Sequence, residues 1–222
     1  MKVCTDSCLL GALVANKLAL LNTTSSKILD IGSGTGLLSL MVAQKTSAEI
    51  HAVEYDEAAA VQSEQNFRES PFSERIRVFN KPIQEFQPAF RYDYIICNPP
   101  FYEESLPSPD KLRNIAMHSH HLNLDQLLGV FKKFLLPTGS AYLLIPFTRT
   151  GETETMALRQ GLHVEERILI RHSKEHPFTR SILQLNLFRS VAEKESELEI
   201  REANGEYTQV FRRLLKDYYL YL

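Results

Sequence analysis

Apolar residues recur at helical spacing between Thr5 and Leu21 (Leu9, Leu10, Leu13, Val14, Ala15, Leu18, Leu21), which predicts an amphipathic first helix. After a polar turn over Asn22–Ser26, the apolar positions contract to a short run, Ile28, Leu29 and Ile31, of the kind that forms a buried strand. A helix is expected over Leu37–Gln44, an alternating strand over Glu49–Glu54, a helix over Asp56–Phe67 and a third strand over Ile76–Phe79. Tyr92–Cys97 reads as a fourth strand. A helix over Leu122–Leu136, stopped by Pro137 and Gly139, leads to a fifth strand at Ser140–Pro146 and a helix over Thr148–Gln160. His163–Arg171 and Arg180–Arg189 alternate as two strands joined by a short tip. A short strand at Leu198–Arg201 and a helix over Tyr207–Tyr219 complete the pattern. Strands alternating with helices imply an α/β domain around a parallel sheet.

Glycine punctuates this pattern where the first strand should end. Asp30-Ile-Gly32-Ser33-Gly34-Thr-Gly36 runs from a strand into a helix, and glycine lets the main chain turn sharply and be approached closely. Such a loop makes a nucleotide-type pocket at a helix N-terminus. The dinucleotide fingerprint requires a glycine where this chain has Leu37, so that pattern fails. The observed spacing resembles the cofactor loop of class I S-adenosylmethionine methyltransferases. Asp30, Gly32, Ser33, Gly34 and Gly36 are therefore candidate cofactor residues. Glu54 ends the second strand, where α/β sheets place an acid on a nucleoside ribose; its bland reading is a solvated strand end. Asn80 follows the third strand, where such an enzyme would contact the adenine. Asp6 has two readings, an N-cap of the first helix or a contact to the cofactor's amino-acid end.

The fourth strand runs into Asn98-Pro99-Pro100-Phe101. Two prolines fix an extended turn and aim its carbonyls. The Asn98 amide oxygen can accept a hydrogen bond from a planar amine, and Phe101 offers a face on which a base can stack. This set suits methylation of an exocyclic amino nitrogen, with Asn98, Pro99, Pro100 and Phe101 as catalytic candidates and Asn98 also bordering the cofactor. Alone it could be an ordinary Pro-rich turn; beside the glycine loop, at the switch point of a parallel sheet, the catalytic reading is the stronger.

Composition narrows the classes. With 222 residues, 44% hydrophobic and 23% charged, the chain fits one soluble domain, 1–222. It has no apolar run long enough for a membrane helix, and its opening residues lack a secretory signal. Three cysteines, Cys4, Cys8 and Cys97, without metal-site spacing suit a reducing cytoplasm. His118, His120 and His121 lack the partners of a metal set and read as a solvated or nucleic-acid-facing cluster in a long polar loop. No metal is expected. A net charge of −2 argues against bulk nucleic-acid binding, but Arg171, Lys174 and Arg180 gather positive charge around Phe178 at the hairpin tip. That tip is either a phosphate-contacting edge or a solvated end.

The residues then resemble, from end to end, the bacterial tRNA (adenine-N6) methyltransferases that modify adenosine 37 of a valine tRNA. The resemblance is carried by Lys2-Val-Cys-Thr-Asp-Ser7 before a Leu-Leu-Gly helix, Asp30-Ile-Gly-Ser-Gly-Thr-Gly-Leu-Leu38, Ala52-Val-Glu54, Asn98-Pro-Pro-Phe101 and the aromatic end Tyr207…Tyr218-Tyr-Leu220. It implies a Rossmann-like class I methyltransferase, with a seven-stranded mostly parallel sheet, a terminal antiparallel hairpin and helices on both faces. It also implies S-adenosylmethionine as cofactor, tRNA as partner, and a cytoplasmic, monomeric enzyme. In the family pattern the Lys-Val stretch is internal, so a preceding segment is expected; Pro82 and Met117 stand where an acid and an arginine are expected. Competing readings are a protein glutamine-N5 methyltransferase with the same amide-binding motif, an rRNA or DNA amino-methyltransferase, and a non-enzymatic scaffold.

Overall fold

The computed structural model describes residues 4–21, 23–99 and 122–221. Pro100, Phe101, Met117 and the three clustered histidines lie outside the described residues. The first helix, α1, spans Thr5–Ala19 and precedes strand β1, Lys27–Ile31. Helix α2 (Leu37–Ala43), strand β2 (Glu49–Glu54), helix α3 (Glu57–Glu69), strand β3 (Ile76–Asn80) and strand β4 (Tyr92–Cys97) follow. Helix α4 (Leu124–Phe134) leads directly into strand β5 (Leu135–Pro146), and helix α5 (Thr150–Gln160) into strand β6 (His163–Arg171). Strands β7 (Phe178–Asn186) and β8 (Lys194–Glu199) and helix α6 (Gln209–Leu215) end the chain.

One sheet holds all eight described strands in the order β3-β2-β1-β4-β5-β7-β6-β8. Strands β1 to β5 run parallel, while β7 is antiparallel to both β5 and β6. The sheet has eight strands where the resemblance implies seven: β8, parallel to β6, overlaps the short strand expected at Leu198–Arg201 but begins earlier, at Lys194. Lys-Glu-Ser-Glu-Leu-Glu carries one apolar side chain, Leu198, so hydrophobic alternation could not reveal its charged first part. An edge strand this charged resists pairing with other chains.

Alternating side chains of the parallel strands feed two cores. Ile28, Ile50, Ala52, Ile96, Tyr142 and Leu144 pack under α1, α2 and α6, with Phe67 of α3. Leu29, Ile31, Val53, Ile95, Leu143 and Ile145 pack under α4 and α5. Burial on both faces explains why β1 reads as continuous hydrophobicity rather than alternation. No helix among the described residues is long and apolar enough to cross a membrane.

Local chemistry sets the element ends. Asn123 and Gln126 close α4 with a reciprocal capping box, Asp56 caps α3 through Ala59 N (2.8 Å), and Thr208 caps α6 through Phe211 N (3.1 Å). Pro137 and Gly139 lie inside the β5 span, where the β4 pairing shifts register between Tyr92 and Tyr94. The N-cap reading of Asp6 is overturned. Cys4 holds the cap position without a side-chain bond, and Asp6 sits in the first turn, ion-paired to Arg180 of β7 at 2.9 Å.

Candidate active site

Strand order reverses on either side of β1, which pairs with β2 on one edge and β4 on the other. Ligands bind at such a switch point, beyond the strands' C-terminal ends. Ile31 is in register with Cys97, so Gly32 and Asn98 leave the sheet side by side. The start of the second motif, Asn98, therefore meets the glycine loop.

The glycine loop is held by backbone conformation and by β2. Gly32, Gly34 and Gly36 have φ of 69°, 56° and 82°, in the left-handed region that disfavours side chains. The amides of Gly32 and Ser33 donate to the Val53 carbonyl at 2.9 and 3.3 Å. The glycines differ in what a side chain would meet. A Cβ on Gly36 would lie 2.3 Å from the Phe67 ring, whereas one on Gly32 would meet no protein atom within 4 Å. Gly36 thus serves packing of α2 against α3, and Gly32 faces open space above the strand.

Two buried carboxylates flank the loop. Glu54 accepts from the Gly34 amide through Oε2 (2.8 Å) and from the Asp56 amide through Oε1 (2.9 Å), which fixes its carboxylate while each oxygen keeps a further lone pair. Asp30, wholly buried, accepts through Oδ2 from the Ser39 hydroxyl (2.7 Å) and amide (3.2 Å). It thereby ties β1 to the first turn of α2. Desolvation, offset in part by Ser39 and reinforced by the charge of Glu54, pushes its carboxyl up to about 7. Burial, and the nearby Asp30 and Glu54 charges, also push up the Cys97 thiol.

Asn80 acts as a brace. Its Nδ2 donates to the carbonyls of Glu54 (3.0 Å) and Tyr55 (3.3 Å), so only its amide oxygen remains for an adenine contact. Asn98, half-buried, donates from Nδ2 to the Ser7 hydroxyl on α1 at 2.7 Å. The sequence motif indicated Asn98 but not its partner; Ser7 entered only as the end of the Lys2–Ser7 stretch, which carried no signal of this contact.

The hairpin cluster separates into three situations. The Arg171 guanidinium is held by Glu197 and Glu199, both at 2.6 Å, and lies over the Phe178 ring. Arg180 is paired with Asp6. Lys174 is exposed at the tip. Positive charge at Arg171 is thus largely neutralised by Glu197 and Glu199 of β8, whose charged first part sequence periodicity concealed.

The donor set fits a nucleoside carrying a cationic amino-acid tail, as S-adenosylmethionine does. Gly32 leaves room for close approach. Among the described residues, the buried Ser33 Oγ and Asp30 Oδ1 have no protein hydrogen-bond partner. Glu54 presents a fixed acid at the end of β2, and the two buried acids favour a cation.

Comparison with known proteins gives the family and the fold class. Residues 10–135 match the family model "Methyltransferase small domain". The chain is 39% identical over 225 aligned residues to a tRNA1(Val) (adenine(37)-N6)-methyltransferase of Cytophaga hutchinsonii, covering all of this chain and 92% of that protein. A protein of the same name from Serratia proteamaculans is 38% identical, covering all of this chain and 84% of its own. Among solved structures, a predicted O-methyltransferase from Agrobacterium tumefaciens superposes with a TM-score of 0.69 at 18% identity, covering 96% of both chains. The glycopeptide N-methyltransferase MtfA, solved with S-adenosyl-L-methionine, does so with a TM-score of 0.59 at 12% identity, covering 80% of this chain and 87% of its own. These structures share the class I methyltransferase fold. The chain belongs to the tRNA1(Val) (adenine(37)-N6)-methyltransferase family.

Proposed function

We propose that this protein transfers the methyl group of S-adenosylmethionine to the exocyclic N6 of an adenosine in tRNA, with adenosine 37 of a valine tRNA as the target. The observation that carries the residue assignment is the emergence of Asn98 beside the glycine loop, with its amide nitrogen already bonded to Ser7. That bond leaves Oδ1 as the group offered to a substrate amine.

The bound cofactor supplies an electrophilic methyl group on a positively charged sulfur. Gly32, Ser33, Gly34 and Gly36 would hold it through the loop backbone, Glu54 through the ribose hydroxyls, Asp30 by charge and Asn80 near the adenine. Asn98 Oδ1 and the Pro99 carbonyl would accept hydrogen bonds from the two N6–H groups and so turn the nitrogen lone pair toward the methyl carbon. As the N–C bond forms and the methyl carbon parts from sulfur, which keeps the electron pair, one N6 proton becomes acidic and leaves to water, so no strong base is required. The adenosine must leave its stack to reach this site. Pro100 and Phe101 are assigned to the base-holding part of the motif, with Phe101 as the stacking face. Lys174, exposed at the hairpin tip, is assigned to the RNA-facing edge, whereas Arg171 and Arg180 are already held by carboxylates.

We further place the enzyme in the cytoplasm, and read it as a monomer, the second reading supported by the charged β8 edge. The test is transfer of labelled methyl from S-adenosylmethionine into tRNA lacking the modification. Label recovered as N6-methyladenosine supports the assignment. Label entering a glutamine-bearing protein instead would move the enzyme to amide methylation.

A further inference from the structure

We infer that Ser7 is a positioning residue for methyl transfer, fixing which face of the Asn98 amide meets the substrate. The inference rests on the assignment of Asn98 to the substrate amine. A primary amide side chain is nearly symmetric in shape but opposite in polarity at its two ends. Its terminal torsion is broad and roughly two-fold, so packing alone discriminates poorly between the two orientations. In one orientation Asn98 offers an acceptor to N6. In the other it offers two N–H donors, which oppose the donors of the amine.

Among the described residues, the contact that holds Asn98 in the accepting orientation is Nδ2 to Ser7 Oγ at 2.7 Å. A serine hydroxyl can donate as well as accept, so its own proton must go elsewhere for this bond to persist. Cys4 Sγ lies 3.1 Å from Ser7 Oγ, one turn earlier, and can accept a hydrogen bond from that hydroxyl or donate one to its second lone pair. In either case Ser7 Oγ keeps a lone pair for Nδ2, and the serine sets the polarity of the amide. Ser7 is itself well anchored. Cys8 beside it is buried in the core, and Asp6 on its other side is paired to Arg180. The hydroxyl is therefore presented by a braced helix turn, on an element distant in sequence from Asn98.

The test compares Ser7→Ala, Ser7→Thr and Asn98→Ala in the full chain, measuring kcat, KM for tRNA, S-adenosylmethionine affinity by calorimetry and the melting temperature. Ser7→Ala is expected to lower kcat by roughly 10- to 100-fold, the scale of a misplaced reacting group. KM, cofactor affinity and melting temperature should stay near wild type, and Ser7→Thr should restore most of the rate. An unchanged kcat in Ser7→Ala, with Asn98→Ala inactive, would overturn the role of Ser7 and leave the proposed function intact. Loss of kcat together with cofactor binding or melting temperature would make Ser7 merely structural and likewise overturn it. A well-folded Ser7→Thr without recovered rate would exclude the hydroxyl as the operative group. Wild-type transfer by Asn98→Ala would remove both the assignment of Asn98 and the inference built on it.

Discussion

The Glu54 carboxylate accepts a hydrogen bond from the Gly34 amide at 2.8 Å, joining the end of β2 to the middle of the glycine loop. One acid thus shapes the loop and presents the group assigned to the ribose. Glu54→Ala should therefore damage cofactor binding on both counts. A charged hydrogen bond is worth about 1.5–3 kcal/mol, so a loss of roughly 10- to 100-fold in S-adenosylmethionine affinity is expected by calorimetry. An affinity within two-fold of wild type would mean that Glu54 serves only the loop.

The glycines offer a second contrast. Gly36→Ala places a methyl group against Phe67 at a φ of 82° and should destabilise the fold by about 1–3 kcal/mol, read as a lower denaturant midpoint. Gly32→Ala meets no protein atom and carries only the backbone strain. Its larger effect should fall on cofactor affinity. Equal stability losses in both variants would contradict the division between a packing glycine and a ligand-facing one.

Asp30 predicts a pH dependence. Its carboxyl is raised from an ordinary 3.8 to about 7, so between those values the folded chain binds more protons than the unfolded one. Stability from the neutral acid is complete below 3.8 and is lost as pH rises through about 7. Asp30→Asn should accordingly raise the melting temperature of the ligand-free protein more at pH 8 than at pH 4. Conversely, a cation favours the ionised acid, so wild-type S-adenosylmethionine affinity should strengthen as pH rises through about 7, and Asp30→Asn should flatten that rise.

Much of this site was legible because its chemistry is local. Glycine at Gly32, Gly34 and Gly36 marks backbone conformations that few other residues adopt, and a strand ending in Glu54 places an acid beside them. The Asn98-Pro99 motif is likewise contiguous. What the sequence concealed depends on long-range pairing. Asp6 reads as a cap until Arg180 is seen beside it, and Ser7 gains a role only when β4 brings Asn98 to it. The hairpin arginines look like phosphate ligands because β8, with Leu198 as its one apolar residue, leaves no hydrophobic signal to show that Glu197 and Glu199 already occupy Arg171.

That pairing separates the basic residues experimentally. Lys174→Ala should weaken tRNA binding and lower the salt slope of log affinity by about one. Arg171→Ala should instead lower the melting temperature, because it leaves Glu197 and Glu199 facing each other unpaired. An unchanged slope in Lys174→Ala would return the hairpin tip to a solvated edge.

The most direct test of the account is tritiated-methyl transfer from S-adenosylmethionine into unmodified tRNA, followed by nucleoside analysis, with wild type and Asn98→Ala compared at equal cofactor occupancy. The account predicts N6-methyladenosine from the wild type, and none from Asn98→Ala although it still binds the cofactor. Label on any other atom, or equal transfer by Asn98→Ala, would contradict it.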